Sequence, residues 1–373
     1  MIYLDNAATT PTSQSVLKSA WPWLTVEFGN ASSHHELGHR AAVALQHARE
    51  TVANFLGCKA SEITFTSGGT ESDNLGIIGL ALANPRGKHI ITSPTEHEAV
   101  LASVDYLKRV HGFEVSFLSV DPSGSISLDE LTSIMRPDTT IVSLMIGNNE
   151  VGTLHPIAQC VEIAHQHGTL FHCDAVQGAG WLPLNVLELG VDALSISGHK
   201  IHAPKGIGAL YVRGNLEIEP AMHGGGQEFG KRSGTENIPW AVALATAVDE
   251  LSQIHVPSVV QLRDDFINGV LQDNKQAQLT GHRTERLPHI ASFVFQGVSG
   301  EAVLVALEER GVLCSSGSAC AAGSDEPSHV LTAMGVSADV AKTAVRFSLS
   351  HSTTAEDLAK TRTILREYLS SLA

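Results

Sequence analysis

The sequence predicts an α/β protein with two domains, the larger built on a mostly parallel sheet with helices on both faces and the smaller of α+β type. Strand-like and helical segments alternate from about residue 15 to residue 255, which is typical of a parallel sheet. The helical pattern over residues 240–254 is followed by Val256-Pro257, which indicates a domain boundary. We therefore expect a large domain over residues 13–256 and a small domain that joins residues 257–373 to residues 1–12.

The individual elements follow from the spacing of apolar residues, which is helical in some segments and continuous over short runs in others. In the large domain the predicted helices are 41–56, 70–83, 99–111, 157–167 and 240–254, and the predicted strands are 62–66, 89–92, 114–119, 140–145, 169–173 and 191–196. In the small domain the predicted strands are 290–295, 312–314 and 344–349, and the predicted helices are 300–310 and 354–372. Ligands of such sheets bind at the carboxyl ends of the strands, where we expect the site.

Composition argues against several classes of function. The chain has 373 residues and a formal net charge of −15, which disfavours a nucleic-acid-binding surface. No apolar run reaches the roughly 18 residues of a membrane span, and the first residues lack the pattern of a secretory signal. The five cysteines show no zinc-site spacing, and their odd number does not suit a disulfide framework. We expect a cytoplasmic protein with no metal, no membrane and no direct nucleic-acid partner.

The stretch Ser197-Gly198-His199-Lys200 follows an apolar strand and predicts a cofactor site. A lysine amine at the end of a buried strand can bond covalently to an aldehyde cofactor, while Ser197 and His199 reach a phosphate. Upstream, Asp174 follows another apolar run, where its carboxylate can pair with a pyridine nitrogen. Enzymes that use pyridoxal phosphate need both groups, so the two segments together predict pyridoxal 5'-phosphate.

Two more segments suit the phosphate and the ring of such a cofactor. Gly68-Gly69-Thr70 joins a strand to a helix, where backbone N–H groups, the helix dipole and the Thr70 hydroxyl can bind an anion. A capped glycine turn with no ligand has the same pattern. His97 follows the strand 89–92 and can stack on a ring and move protons, although a lone histidine among 19 is more often structural.

The carboxylate of an amino-acid substrate has candidate partners on two other strands. Asn148 and Asn149 follow the strand 140–145, where amides bind a carboxylate or a phenolic oxygen, or form a turn. Arg346 alternates with apolar residues in the strand 344–349, and its rigid fork matches a carboxylate in two-point contact. A structural ion pair is the alternative for Arg346.

Cys320 differs from the other four cysteines in its surroundings. It lies in the segment 315–327, which consists almost entirely of small residues that cannot bury a thiol, whereas the others fit buried places in helices or strands. We interpret Cys320 as a nucleophile. The polar, glycine-rich segment 224–237 predicts a surface loop, or a loop that completes a phosphate site in a neighbouring subunit.

With these residues the chain resembles, over essentially its whole length, the cysteine desulfurases that supply sulfur for iron–sulfur clusters and thio-modifications. The most specific matches are Ser197-Gly198-His199-Lys200, Arg232-Ser233-Gly234-Thr235 and Ser315-Ser316-Gly317-Ser318-Ala319-Cys320. The resemblance implies an aspartate-aminotransferase-like large domain with a mostly parallel seven-stranded sheet. It also implies a homodimer with both active sites at the interface.

The resemblance also implies a role for each candidate residue. Lys200 holds the cofactor, Asp174 pairs with the ring nitrogen and Gln177 bonds the phenolic oxygen. His97 lies over the ring, and Asn148 and Arg346 hold the substrate carboxylate. The phosphate is bound at the Gly69 turn by Thr70, Ser197 and His199, joined by the partner subunit's Thr235.

The implied reaction converts L-cysteine to L-alanine, with the sulfur passing to Cys320 as a persulfide. Lys200 moves the α-proton. A thiol of pKa about 8.5 is only a few per cent ionised near neutral pH, so either the site lowers the pKa of Cys320, or His97 or the substrate thiol relays a proton. The loop after Cys320 resembles the family branch in which this cysteine swings out to an acceptor. Candidate acceptors are an iron–sulfur scaffold, a tRNA-thiolating enzyme and a DNA phosphorothioation system.

Three alternatives remain open from the sequence. A selenocysteine lyase would share most of the site, and a comparison of rates on the two substrates would separate it. A transaminase on the same fold would not need Cys320. A non-catalytic sulfur carrier would not need Lys200 and Asp174 together.

Overall fold

The chain alternates strands and helices as the apolar spacing predicts, and the computed structural model describes residues 1–317 and 326–372. The strands are β1 (Ile2–Tyr3), β2 (Ile63–Thr66), β3 (His89–Thr92), β4 (Glu114–Phe117), β5 (Thr139–Met145), β6 (Leu170–Asp174), β7 (Ala193–Ser197), β8 (Gly208–Val212), β9 (Ala277–Leu279), β10 (Ile290–Phe295), β11 (Val312–Leu313) and β12 (Ala344–Ser348). The helices are α1 (Gln14–Thr25), α2 (Glu36–Leu56), α3 (Gly69–Asn74), α4 (Leu80–Ala83), α5 (Glu98–His111), α6 (Leu128–Ile134), α7 (Ile157–Gln166), α8 (Val186–Leu189), α9 (Ile238–Leu251), α10 (Val256–Asp273), α11 (Gly300–Glu308), α12 (His329–Ala333), α13 (Ala338–Ala341) and α14 (Ala355–Ser371).

The central sheet has seven strands in the order β2-β8-β7-β6-β5-β3-β4. Strands β7, β6, β5, β3 and β4 pair in parallel, and β8 pairs antiparallel with both β7 and β2. The predicted mostly parallel, seven-stranded sheet is therefore confirmed. Because β8 runs opposite to its two neighbours, β2 points the same way as β7. The ends of β2, β5, β6 and β7 thus meet at one edge of the sheet.

The helix predicted over residues 70–83 is continuous but not uniform, because a π-helical turn at Leu75–Gly79 separates α3 from α4. Gly76 lies in this turn, and a Cβ there would lie 2.7 Å from Cδ2 of His172 on β6. The missing side chain lets the helix approach the sheet closely, just after the end of α3. Such π-turns are not visible as a change in apolar spacing.

A second hydrophobic core lies around the antiparallel sheet β12-β10-β9. Its centre includes Phe266, Phe293 and Phe347, whose rings meet edge to face at 5.2–6.3 Å between centroids. Ile2 and Leu4 belong to this core, because β1 pairs in parallel with β11. The first residues of the chain are thus packed against elements that lie more than 300 residues further along.

Val256-Pro257 begins a helix and does not form an extended linker. Helix α9 ends at Leu251, and α10 starts at Val256 with Pro257 in its first turn. Proline is well tolerated there, because the first N–H groups of a helix have no partner within the helix. The part of the chain that the structure describes contains no helix that is long and apolar enough to cross a membrane.

A buried ion pair fixes the glycine-rich segment 224–237 to the large domain. The guanidinium of Arg49 on α2 holds both carboxylate oxygens of Glu228, at 2.5 and 2.8 Å, and both side chains are about 5% exposed or less. Arg49 also donates to the carbonyl of Ile63, and its guanidinium lies between the rings of Phe65 and Phe229. Loss of one partner would leave a buried charge without compensation.

Arg49→Met is therefore expected to lower the free energy of unfolding by about 3–5 kcal/mol. Arg40→Met is the matched control on the same helix, because the Arg40–Glu27 pair is partly exposed, and it should cost less than about 1 kcal/mol. Urea unfolding of both variants and the parent, followed by circular dichroism at one protein concentration, measures the difference. Equal losses in the two variants would contradict the importance of the buried pair.

Candidate active site

A cavity of about 400 Å³ opens at the carboxyl edge of the sheet. Most of the candidate residues that sequence analysis selected line it, although they lie on or just after five strands in distant parts of the chain. These are Gly69, Thr70, His97, Asp174, Gln177, Ser197, His199, Lys200 and Arg346. The structure therefore brings the predicted cofactor and substrate groups into one space.

Lys200 lies in a short 3-10 turn after β7, and its amine is held at the cavity by backbone carbonyls. Its Nζ donates to the oxygens of Ala7 at 2.6 Å and Ala8 at 2.8 Å. That segment is itself fixed, because the N–H of Ala7 donates to Oγ of Ser348 at 2.9 Å. The N-terminal segment thus forms one wall of the cavity and orients the lysine.

Asp174 ends β6 and lies buried beside the cavity, where its Oδ1 accepts the N–H of Val176 at 2.9 Å. Burial raises the pKa of Asp174, against the opposing effect of His97 and Lys200. Asp73 also lines the cavity, and burial together with the charges of Asp174 and Glu96 raises its pKa well above the usual value. Oδ1 of Asp73 has no hydrogen-bond partner among the described residues. A protonated ring nitrogen at Asp174 would add a positive charge beside these buried acids.

The start of α3 offers a place where an anion can bind. The backbone there begins a helix at Gly69, where a Cβ would lie only 2.8 Å from Cγ2 of Val176. Thr70, Ser197 and His199 line the same cavity. Burial, with the charges of Lys200, Lys205 and His97, lowers the pKa of His199 to about 4. The neighbouring cations that disfavour a charged His199 also favour a bound anion, so the donors fit a phosphate.

His97 is the N-cap of α5, which fixes the role of each ring nitrogen. Its Nδ1 accepts the N–H of Ala99 at 3.1 Å. In the neutral ring the proton is therefore on Nε2, which is the atom through which His97 donates. The helix that follows thus orients the ring at the cavity wall.

Arg346 on β12 is almost fully buried at 1% exposure and forms both the predicted ion pair and a cavity wall. Its Nη2 donates to Oδ1 of Asp5 at 2.8 Å, and its Nη1 donates to the carbonyls of Asn149 and Gly317. Nε has no partner among the described residues. Of its five N–H groups, Nε–H and one on Nη2 are therefore left for a carboxylate.

The structure places Asn149, and not Asn148, at the cavity. The Asn148 side chain holds the turn after β5, because Nδ2 donates to the carbonyl of Thr95 and Oδ1 accepts the N–H groups of Glu150 and Val151. Both polar atoms of its amide are therefore hydrogen-bonded to the backbone. The residues alone left both amides open and the family resemblance pointed to Asn148, because only the hydrogen bonds of the turn distinguish the two adjacent side chains.

Two predicted residues lie elsewhere. Thr235 lines a separate cavity of about 310 Å³ beside the end of β2, together with Arg232, whose Nε pairs with Glu71 at 2.9 Å. Cys320 lies outside the described residues, and so do residues 318, 319 and 321–325 around it. Gly317, the last described residue before that gap, lines the main cavity. Sequence analysis missed Asp5, Asp73, Ala7 and Ala8 as site residues.

Comparison with known proteins places this geometry in a family. Residues 2–360 match the class V aminotransferase family. The cysteine desulfurase IscS of Dictyoglomus turgidum is 44% identical over 376 residues, which cover 100% of this chain and 95% of that protein.

Solved structures give the same result. A NifS-like protein superposes with a TM-score of 0.91 and 37% identity, with 99% of each chain covered. SspA in complex with cysteine superposes with a TM-score of 0.84 and 38% identity, covering 94% of this chain and 99% of SspA.

Proposed function

Because this chain belongs to the class V aminotransferase family and is a cysteine desulfurase that depends on pyridoxal 5'-phosphate, we propose that Lys200 acts at the carbon atoms of L-cysteine and that Cys320 acts at its sulfur. The observation that carries this proposal is the cavity that Lys200, Asp174 and Arg346 line together. A covalent anchor, a ring-nitrogen partner and a carboxylate partner are the three groups that an amino-acid substrate and this cofactor require.

Pyridoxal 5'-phosphate, when bound, holds the amino group of the substrate and accepts the electron pair that is released at Cα. Asp174 would keep the ring nitrogen protonated, since its buried carboxylate is stabilised by a neighbouring cation. The Gly69 turn, Thr70, Ser197 and His199 would bind the phosphate. Gln177 would donate to the phenolic oxygen.

Arg346 and Asn149 would orient the substrate carboxylate. The two remaining N–H groups of Arg346 are suited to a carboxylate, and the Asn149 amide lies at the same cavity. With the carboxylate held there, Lys200 Nζ would remove the proton at Cα, and His97 Nε2 would assist the later return of protons.

Cys320 would take the sulfur as a thiolate. Its Sγ attacks Sγ of the substrate, the new S–S bond forms as the Cβ–Sγ bond breaks, and the electron pair of that bond returns to the carbon skeleton. A proton delivered to Cβ and the return of a proton to Cα then complete L-alanine, and the persulfide stays on Cys320. The segment that carries Cys320 joins the described chain at Gly317, on the cavity wall, which supports access to the substrate.

A homodimer and an acceptor complete the proposal. Thr235 lies away from the main cavity of its own chain, as expected if the partner's Thr235 completes each phosphate site. The persulfide would pass in the cytoplasm to an iron–sulfur scaffold, a tRNA-thiolating enzyme or a DNA phosphorothioation system. Transfer of ³⁵S from charged enzyme to candidate acceptors, resolved on non-reducing gels, would identify the pathway.

The overall activity is tested by incubating the purified enzyme with L-cysteine and a thiol reductant. Alanine and sulfide should form in equal amounts. Formation of pyruvate and ammonia in place of alanine would contradict the proposed course at Cβ. Omission of the reductant should leave about one persulfide per active site.

Arg346→Lys is expected to raise KM for L-cysteine about 10- to 100-fold and to change kcat much less, because lysine keeps the charge and loses the two-point contact. Arg263→Lys is a matched control, since Arg263 is also buried, donates to the carbonyl of Leu287 and does not line the cavity. Steady-state alanine formation measures both constants. Equal KM values for the two variants would count against the assignment of Arg346.

A further inference from the structure

Gln177 stands between the main cavity and a small enclosed space next to Trp181 and His289. Its Nε2 donates to the carbonyl of Ala7 at 3.0 Å. Its Oε1 lies 3.4 Å from Nε2 of His289, which is 2% exposed. The nitrogen of the amide is therefore bound by the N-terminal segment, and its oxygen is bound by His289, which lies 112 positions further along the chain.

These contacts allow one orientation of the amide. The Ala7 carbonyl can only accept a hydrogen bond, so it faces the amide nitrogen. Oε1 then faces His289, whose Nε2 must carry a proton in order to donate. If the amide were reversed, two acceptors would meet at Ala7 and two donors would meet at His289, and an oxygen would be presented to the cavity.

His289 is itself fixed by stacking. Its ring lies against the indole of Trp181, with 4.4 Å between centroids and 14° between planes. Burial, with the charges of Arg346, Arg263 and Lys200, lowers the pKa of His289 to about 3, so the ring is neutral at any working pH. Nδ1 has no hydrogen-bond partner among the described residues, which agrees with a proton on Nε2. The adjoining space of about 10 Å³ is only the size of one water molecule and leaves the side chains no room to turn.

We propose that His289 is a positioning residue: stacked on Trp181, it holds the Gln177 amide so that the second N–H of its nitrogen points into the cavity as a donor. The inference rests on the proposed role of Gln177 at the phenolic oxygen of the cofactor. His289, which directly precedes β10 in the second core, would thereby influence whether the phenolic oxygen of the cofactor carries a proton.

The test is a double-mutant cycle read from the cofactor's visible absorbance as a function of pH. His289→Phe keeps a ring against Trp181 and removes the donor, and Gln177→Leu removes the amide. Each should raise the pH midpoint of the absorbance change by about one unit, because a phenolate that loses a donor binds its proton more tightly. The double variant should show no further increase, and His289→Asn, which restores an N–H, should return the midpoint toward that of the parent.

The outcomes separate this inference from the proposed function. An unchanged midpoint in His289→Phe beside a raised one in Gln177→Leu would overturn the inference alone. An unchanged midpoint in Gln177→Leu would overturn the role of Gln177 and the inference with it. His155→Phe is the matched control, because His155 is equally buried and lies outside the cavity, and its midpoint should equal the parent's.

A measurement on the unsubstituted apoprotein needs no variant to fold and no activity. Long-range ¹⁵N correlation spectra should show His289 as a neutral ring with its proton on Nε2. A proton on Nδ1 would overturn the inference.

Discussion

Lys200→Ala should lower the turnover of L-cysteine by about 10³-fold or more, because it removes both the covalent anchor of the cofactor and the base at Cα. Two backbone carbonyls hold the Lys200 amine at the cavity, so no other lysine can take its place without a rearrangement of the N-terminal segment. Alanine formation measured by chromatography gives the rate. The cofactor of this variant should also be released completely by denaturation.

Lys205→Ala is the control for this substitution, since Lys205 is exposed and does not line the cavity. At saturating cofactor it should retain the activity of the parent, because its charge near His199 affects only the binding of the phosphate. Reduction of the parent with borohydride, followed by peptide mapping, should place the cofactor on Lys200. A label on Lys205 would refute the assignment of the anchor.

Cys320→Ala should abolish the protein-bound persulfide and lower alanine formation by about 10³-fold, while the visible absorbance of the cofactor and its response to L-cysteine persist. The reason is that the carbon chemistry and the sulfur transfer use different side chains. Persulfide is measured by mass spectrometry of the intact protein after a brief exposure to L-cysteine. Sulfide release by this variant at the parental rate would remove Cys320 from the mechanism.

Cys314→Ala is the matched control for the thiol. Burial raises the pKa of Cys314, so this thiol stays protonated and is a poor nucleophile. The variant should form the persulfide at the parental rate. A loss equal to that of Cys320→Ala would indicate that both thiols handle the sulfur.

The parts of the site that lie at strand ends could be predicted from sequence, because the carboxyl ends of parallel strands lie at one edge of the sheet. Lys200 after β7 and Asp174 at the end of β6 are found in this way. The choice between Asn148 and Asn149 could not be predicted, since it depends on which amide closes the turn after β5. His289 could not be predicted either, because its role comes from a ring stack across two distant parts of the chain.

The fold was predicted with similar limits. The mostly parallel sheet follows from alternating apolar segments and its seven strands from the family resemblance, whereas the π-turn at Leu75–Gly79 depends on the close approach of Gly76 to β6. The division into residues 13–256 and residues 1–12 with 257–373 stays a prediction. Limited proteolysis between α9 and α10 would test it, since cleavage there should leave two fragments that remain associated through β1 and β11.

The wall that Ala7 and Ala8 form has a consequence for how the protein is made. These residues precede almost all of the described chain, yet the neighbouring Asn6 side chain donates to the carbonyl of Ser348, 342 positions later. At about 5–20 residues per second, the N-terminal segment waits roughly 20–70 s for its partners to be synthesised. Sites built from strand ends can form on a growing chain, but this one stays open until β12 has been synthesised. We therefore expect that a nascent chain that ends before β12 neither captures the cofactor nor desulfurates cysteine.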